Sequence, residues 1–366
     1  MAIYPEPIPD VSAVSSPALL VFPDRIQQNI ERMVKVAGDP SRLRPHIKTH
    51  KIAEVVRMQM AAGIHKFKCA TLAEAELLGR EKAKDILLAI QPVGPEVELI
   101  VKLAMQFPDS QFSVVVDNVG IIHQLNAACE KYSTRLGAFL DLNVGMNRTG
   151  VKPGLEAIAR YKVLHEMPLL DIQGLHAYDG HIHDSDPEIR AEKVNKAYAE
   201  VENFLRQLRA MGFAPPVVVA GGSPSFPMHA KHEGVELSPG TTLLWDFGMV
   251  DRFKDMPFKC AAFLLTRVIS KPAEELVCFD LGHKAVAAEN PHPRVRIQGL
   301  EDAEFVGQSE EHLVARIDQW PELQVGDAFL GIPRHICPTV ALYDYVHVVE
   351  NEQVTGKWKV AARHRL

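Results

Sequence analysis

LRPHIKTHKIAEVVRMQMAAGIHKFKCA, residues 43–70, holds the alternation on which the fold turns. LRPHIKTH reads as a strand; after Lys51 the residues Ile52, Val55, Val56 and Met60 share one helical face; HKFKCA then reads as a second strand. A period that passes from 2 to 3.6 and back is the mark of a βα unit feeding a parallel sheet. The rhythm continues outward to about residue 246 through the candidate strands DILLAI, QFSVVV, LGAFLDLN, LDIQGLHAY, PPVVVAGG and ELSPGTTLLWD, with a long charged helical stretch from about Pro187 to Met211. Eight strand-helix pairs in roughly 200 residues predict a closed (β/α)8 TIM-type barrel, with an open doubly wound sheet as the alternative.

Beyond residue 247 the pattern changes. AAFLLTRVIS, EELVCFDLG, DAFLGIPRHICP and YDYVHVVE read as strands with little helix between them. Upstream, SPALLVF is a strand and FPDRIQQNIERMVKV places Ile26, Ile30, Met33 and Val34 at helical spacing. The expected organisation is a barrel over residues 23–247 and a mainly β domain built from 248–366 and completed by residues 1–22.

With 366 residues, 47% of them hydrophobic and 23% charged, core size is not limiting. The formal net charge of -6 is interspersed without a polybasic run, which gives no electrostatic grip on phosphate backbones, so nucleic acid is not an expected partner. The N-terminal residues have no basic start, and no stretch reaches the roughly 18 apolar residues of a membrane span. Cysteines at 69, 129, 260, 278 and 337 are scattered and form no Cys-x-x-Cys pair. The expectation is a cytoplasmic protein with no membrane partner.

Four segments carry chemistry. Arg44-Pro45-His46-Ile47-Lys48-Thr49-His50-Lys51 is dense in cations at the end of the first barrel strand, where barrels build active sites. In a strand His46, Lys48 and His50 share a face. Crowded cations favour the neutral amine that Schiff-base chemistry needs, although a solvated basic loop has the same composition. The turn Ala220-Gly221-Gly222-Ser223-Pro224-Ser225 follows an apolar strand; its glycines let backbone N–H groups approach a phosphate, or simply make a tight βα turn. GLHAYDGHIHD, residues 174–184, sets three histidines and a tyrosine at the end of the sixth strand, where an imidazole can move protons near neutral pH. His335-Ile336-Cys337 aims an imidazole and a thiol the same way if the segment is extended, a donor pair that suits zinc; a buried structural cysteine is the plain alternative.

RPHIKTHK followed by KCATLAEAE resembles the D-threonine aldolase and eukaryotic-type D-serine dehydratase family, a branch of the alanine-racemase-like, fold type III pyridoxal-phosphate enzymes, and the resemblance runs nearly end to end. It implies that Lys48 carries pyridoxal 5'-phosphate, with His46 beside it, while Lys51 begins the next helix as a surface residue. DLNVGMNRTGV (141–151) resembles the stretch whose arginine reaches the cofactor's phenolic oxygen, which falls on Arg148. The resemblance places the phosphate grip at Gly222, Ser223, Gly240 and Thr241, stacks Tyr178 on the cofactor ring, and makes His181, ahead of His183, the general acid or base. Where the racemases have an arginine at the pyridine nitrogen this chain has Ser238, and the weaker electron sink calls for help from a metal. That metal, zinc, manganese or magnesium, is implied at His335 and Cys337, with water and the substrate's 3-hydroxyl as further ligands. Asp280-Leu281-Gly282-His283-Lys284-Ala285 matches a stretch read as structural.

The implied activity is a lyase acting on small D-3-hydroxy amino acids. The aldolase route gives glycine and an aldehyde; the dehydratase route, on D-serine or D-3-hydroxyaspartate, gives a 2-keto acid and ammonia. HAYDGH is similar to the aldolase side, which makes the aldolase the expected activity; His-x-Cys is similar to the dehydratase side and keeps the dehydratase as the alternative, ahead of a racemase, a non-catalytic cofactor carrier and a barrel enzyme without the cofactor. A head-to-tail homodimer is the implied assembly.

Overall fold

In the computed structural model, which describes residues 3–5, 9–318 and 320–365, the chain forms two compact units. Residues 33–48 and 56–240 make up nearly all of one, and residues 1–32, 49–55 and 241–363 the other. Strand β1 (Ala18–Val21) and helix α1 (Pro23–Ala37) come first; Ile26, Ile30 and Met33 on one face of α1 are fully buried, as the spacing predicts. Helix α2 (Ala53–Ala61) follows the cation-rich segment and buries Val55 and Val56.

One unit is built on seven parallel strands in sequence order: β2 (Lys66–Cys69), β3 (Asp85–Leu88), β4 (Gln111–Val116), β5 (Leu136–Leu142), β6 (Leu170–Ala177), β7 (Val217–Ala220) and β8 (Val235–Leu237). The returns are α3 (Leu72–Arg80), α4 (Glu96–Gln106), α5 (Val119–Lys131), α6 (Leu155–Glu166), α7 (Pro187–Ala210) and the short α8 (Phe226–His229). Local chemistry starts these helices. Thr71 caps α3 through its hydroxyl, which accepts from the Glu74 N–H at 3.2 Å, and Asp186 caps α7 ahead of Pro187. Along α7, Arg190, Val194, Tyr198, Val201, Phe204 and Leu208 recur at helical spacing and are buried.

The eighth place in the ring is taken by no strand. Residues 43–46 bond to both edges of the sheet: the Arg44 N–H donates to Leu237 O at 2.8 Å and His46 to Pro239 O at 2.8 Å, while Lys68 donates to Pro45 O at 2.9 Å. LRPHIKTH is thus not the expected strand. Pro45 brings no N–H to a ladder, and Ile47–Thr49 wind into a 3-10 turn, so His46, Lys48 and His50 do not share a strand face. ELSPGTTLLWD likewise keeps strand geometry only through Leu237, because Pro239 and a second 3-10 turn at Thr241–Leu243 follow. Inside the ring, alternate residues stack in layers. Arg44, Lys66, Asp85 and Glu236 form one layer of ion pairs, Leu87, Val115, Phe139 and Val219 an apolar cluster, and Lys68, Asp141 and His176 are buried polar residues toward the ends of β2, β5 and β6.

After helix α9 (Phe247–Arg252), the other unit carries β9 (Ala262–Ala273), β10 (Leu276–Phe279), β11 (Val295–Ile297), β12 (Glu304–Gln308), β13 (Leu313–Arg316), β14 (Ala328–Pro333), helix α10 (Ile336–Val340), β15 (Tyr345–Glu350) and β16 (Gln353–Lys359). The sheet runs β12-β13-β10-β9-β1-β15-β16, with β14 joining β9 to β11. β1 lies antiparallel to β9 and parallel to β15, so the N-terminal strand does complete this sheet. Asp280 is structural here: one carboxylate oxygen accepts from the Thr266 hydroxyl and the Arg267 N–H, both at 2.8 Å, and the other from the Ser16 hydroxyl.

Candidate active site

Within the barrel unit, the polar groups gather on Tyr178, the residue that follows β6. Lys68 Nζ lies 5.4 Å from the centre of its ring and Arg148 Cζ 4.9 Å. Arg148 is exposed and its loop is fixed, since the Asn143 side-chain oxygen accepts the N–H groups of Gly145 and Asn147 and Asp117 accepts that of Gly150. Lys48 is half-buried in the middle of the 3-10 turn, and its N–H donates to His46 Nδ1 at 3.3 Å. His181 is exposed and packs on the same loop: a Cβ added to Gly145 would lie 2.8 Å from His181 Nε2. His183 is exposed as well.

The glycine turn is wired to this ring. A Cβ on Gly222 would come within 3.1 Å of the Tyr178 ring, so only glycine lets the backbone approach there freely. Asp179, next to Tyr178, accepts from the Ser225 hydroxyl at 2.7 Å and meets His229 Nε2 at 2.8 Å; the Ser225 oxygen in turn accepts from the Gly222 N–H. The Ser223 hydroxyl accepts the Gly240 N–H at 3.1 Å, which brings the two stretches expected at the phosphate together. Ser238 is buried, and its hydroxyl donates to the Arg44 carbonyl.

Three residues of this cluster were not singled out from the sequence: Lys68, Asp141 and His176. Lys68 is 3% exposed; burial first, and Lys48 next, lower its pKa to about 7 against the pull of Asp141 and Asp179. Asp141 holds His176 Nδ1 at 2.7 Å, while His176 Nε2 is buried with no partner in the protein. Burial lowers the pKa of His176, and Asp141 opposes the shift. A charged side chain inside an apolar strand was the signal that could have marked them.

These residues fit an anionic ring ligand. Among the described residues Lys48, Lys68 and Arg148 have no carboxylate within ion-pair distance, and the carboxylates near them are engaged by histidines. An orphaned imidazole nitrogen and a glycine backbone face lie on the same tyrosine-centred cluster. Pyridoxal phosphate has the matching chemistry: an aldehyde for an amine, a phenolic oxygen for cations, and a phosphate for a glycine turn.

In the other unit, His335 and Cys337 do meet, though not as neighbours on an extended strand. β14 ends at Pro333; His335 caps α10, and Cys337 sits in that helix's first turn. The Asp246 carboxylate fixes this turn by accepting the Ile336 N–H at 2.9 Å. Burial would lower the His335 pKa, but the Cys337 thiol and the Glu289 carboxylate, 2.6 Å from Nδ1, hold it at about 9. Burial would raise the thiol, but His335 with the Thr49 and Thr241 hydroxyls, 3.3 and 3.6 Å away, brings it below the usual range. A thiol beside an imidazole whose other nitrogen meets a carboxylate has the donor chemistry of a metal-ligand pair. Among the described residues no group of three or more His, Cys, Asp and Glu is placed to hold a metal ion, so the pair alone is an incomplete donor set. Thr241, expected at a phosphate, turns its hydroxyl to this thiol.

Comparison with known proteins agrees with both units. Residues 21–246 match the alanine racemase N-terminal domain, and residues 261–349 a putative serine dehydratase domain. A 3-hydroxy-D-aspartate aldolase of Paracoccus denitrificans (strain Pd 1222) is 30% identical, covering 97% of this chain and 93% of that protein. A D-threonine aldolase of an Arthrobacter species is 29% identical, over 98% and 95%. The crystal structure of D-threonine aldolase from Filomicrobium marinum superposes with a TM-score of 0.90 over 99% of each chain at 26% identity. With a racemase-type domain over more than half its length, followed by a dehydratase-type domain, the chain belongs to the alanine-racemase-like pyridoxal-phosphate family that includes the D-threonine aldolases and D-serine dehydratases.

Proposed function

We propose that this chain is a pyridoxal 5'-phosphate- and metal-dependent lyase that cleaves D-3-hydroxy amino acids, D-threonine among them, to glycine and an aldehyde. The observation that carries the reading is the set of cations around Tyr178, with no carboxylate of their own, in a chain whose relatives include aldolases for such substrates. When bound, the cofactor supplies an electron sink for a bond broken at the substrate's α-carbon, and the metal a Lewis acid for its 3-hydroxyl oxygen.

Lys48 offers the amine that holds the cofactor and gives way to the substrate amine. His46 braces that lysine's backbone through the 3.3 Å hydrogen bond. Arg148 pairs with the ring oxygen and Tyr178 offers its face to the ring. Gly222, Ser223 and Gly240, with Thr241 next in sequence, hold the phosphate. His181, exposed after β6 and packed against the loop that carries Arg148, would take the proton of the 3-hydroxyl as the Cα–Cβ bond opens. His335 and Cys337 bind the divalent metal, and a thiolate ligand favours zinc over manganese or magnesium.

That same His335–Cys337 pair favours a second reading, a dehydratase of D-serine or D-3-hydroxyaspartate. Incubating the cofactor- and metal-loaded enzyme with D-threonine and D-serine separates the two: glycine with acetaldehyde is expected, a keto acid with ammonia gives the second reading, and D-to-L interconversion or no product overturns both. The proposed division of labour keeps the boundaries expected from the sequence, a cofactor barrel over 23–247 and a metal-bearing β domain from 1–22 with 248–366, whereas the compact units divide at 32/33, 48/49, 55/56 and 240/241. A homodimer is proposed as the working assembly, checked by sedimentation. None of the five cysteines is in a disulfide, which supports a cytoplasmic setting, and no described helix is long and apolar enough to cross a membrane.

A further inference from the structure

The proposed function leaves Lys68 without a task. Lys68 is 3% exposed on β2, its Nζ lies 5.4 Å from the centre of the Tyr178 ring, and no carboxylate of the described residues lies within ion-pair distance. A buried cation left unpaired costs several kcal/mol. The nearby acids are committed elsewhere, Asp141 to His176 and Asp179 to Ser225 and His229. His176 Nε2 is buried with no hydrogen-bond partner in the protein. A cation without a carboxylate partner and an unsatisfied imidazole nitrogen thus belong to the same polar cluster.

The geometry points to Lys68 as a second cation for the phenolic oxygen of pyridoxal phosphate, reaching it from strand β2 while Arg148 reaches it from the loop after β5. The inference rests on the proposed function, because it needs the cofactor on Lys48. Its chemistry is that of the cofactor itself: the aldehyde carbon taken by the lysine is ortho to the ring hydroxyl. Lys68 and Lys48 lie close enough to interact electrostatically, and the phenolic oxygen is the cofactor atom next to the carbon that Lys48 would take. A resident anion is also the right partner for so buried a group. A substrate carboxylate that enters and leaves each turnover would strand the ammonium unpaired between turnovers. Arg148, exposed at the rim, does not face this cost.

The test uses the full-length chain loaded with pyridoxal phosphate alone. Lys68→Met is expected to weaken cofactor retention in equilibrium dialysis at least ten-fold and to displace both the absorbance maximum of the bound cofactor and the pH midpoint of its spectral change. Lys68→Arg, which keeps the charge, is expected to stay near the parent midpoint. The charged and titratable groups that face Lys68 are Lys48, Arg148, Asp141, Asp179 and His176. Should Lys68→Met fail to fold, Lys68→Gln decides on the same readouts. An unchanged spectrum and affinity overturns the inference. So does an unchanged spectrum with kcat/KM reduced only for substrates bearing a second carboxylate, which would assign Lys68 to the substrate. A parent chain that takes up no cofactor at all sinks the proposed function instead, and reductive labelling of Lys48 in the parent tells the two failures apart.

Discussion

Replacing Arg44 by methionine removes the guanidinium that holds the irregular segment in the eighth place of the barrel. Arg44 is 1% exposed; its two terminal nitrogens bind both oxygens of Asp85 on β3 at 2.6 Å, and its Nε binds Glu236 on β8 at 2.7 Å. The backbone of residues 43–46 spans the gap between β8 and β2, so this one side chain ties that gap to strands on both sides. Removing one partner of a buried ion pair costs about 3–5 kcal/mol, because the remaining charges stay desolvated. The lower figure applies here. Glu236 retains Lys66, and the Asp85 side chain is 22% exposed and can recruit water. For a unit of about 200 residues each kcal/mol moves the melting point by about 2–4 °C, so the variant should melt about 6–12 °C early. Calorimetry of the cofactor-free chain reads this directly, and reductive labelling at Lys48 should fall in parallel, since the lysine follows the loosened segment. The double variant Arg44→Met/Asp85→Asn should lose less than the two singles added. A melting point within about 2 °C of the parent would refute the argument that this ion layer closes the barrel.

Three further outcomes follow from particular contacts. Burial depresses the His50 pKa to about 3, against about 6.5 unfolded, so the unfolded chain holds the extra proton between those values. Its contribution is complete above pH 6.5 and is lost as pH falls, about 2 kcal/mol by pH 5, and urea midpoints at pH 7.5 and 5.0 should show this slope in the parent and lack it in His50→Gln. Gly174→Ala should destabilise the barrel by about 3 kcal/mol or prevent its folding, since the new Cβ would stand 2.1 Å from the Val217 carbonyl oxygen on the neighbouring strand; a parent-like melting curve would count against that register. His335→Ala and Cys337→Ser should each lose bound metal by elemental analysis while keeping the cofactor's absorbance, and undiminished metal content would remove the pair from the site.

Much of this molecule was readable because its strands are buried on both faces. DILL, QFSVVV and VVVA are continuous branched runs, and continuous runs separated by helical stretches specify a parallel sheet. SPALLVF is expected to complete the β domain, and β1 indeed pairs with β9 and β15. What misled was the assumption that a residue's register within an extended segment sets its direction. Residues 43–50 and 333–337 each hold a proline and then turn, into 3-10 geometry at Ile47 and into α10 at Ile336. Lys48 stands where the motif puts it, but by a turn and not by strand alternation. His335 and Cys337 meet because one caps the helix that carries the other.

The site residues missed have a common cause. In KFKC the lysines alternate with Phe67 and Cys69, and in an ordinary half-buried strand the charged set would face water. A barrel strand has no watery face. Phe67 and Cys69 are completely buried, and the lysine face is turned into the ring, where Lys66 meets Glu236 and Lys68 meets Tyr178. The same inversion hides Asp141 in LGAFLDL and His176 in LDIQGLHA. Once a closed barrel is inferred, the polar member of each alternating pair is the inward one, and its distance along the strand decides its use. Polar residues at the strand starts, such as Asp85 and Glu236, find each other and make structure; those at the strand ends, Lys68 and His176, meet a ring and an unfilled hydrogen bond and are left for a ligand. Closure therefore turns the alternation signal around, and a sequence reading that applied this step would have named Lys68, Asp141 and His176 beside Lys48.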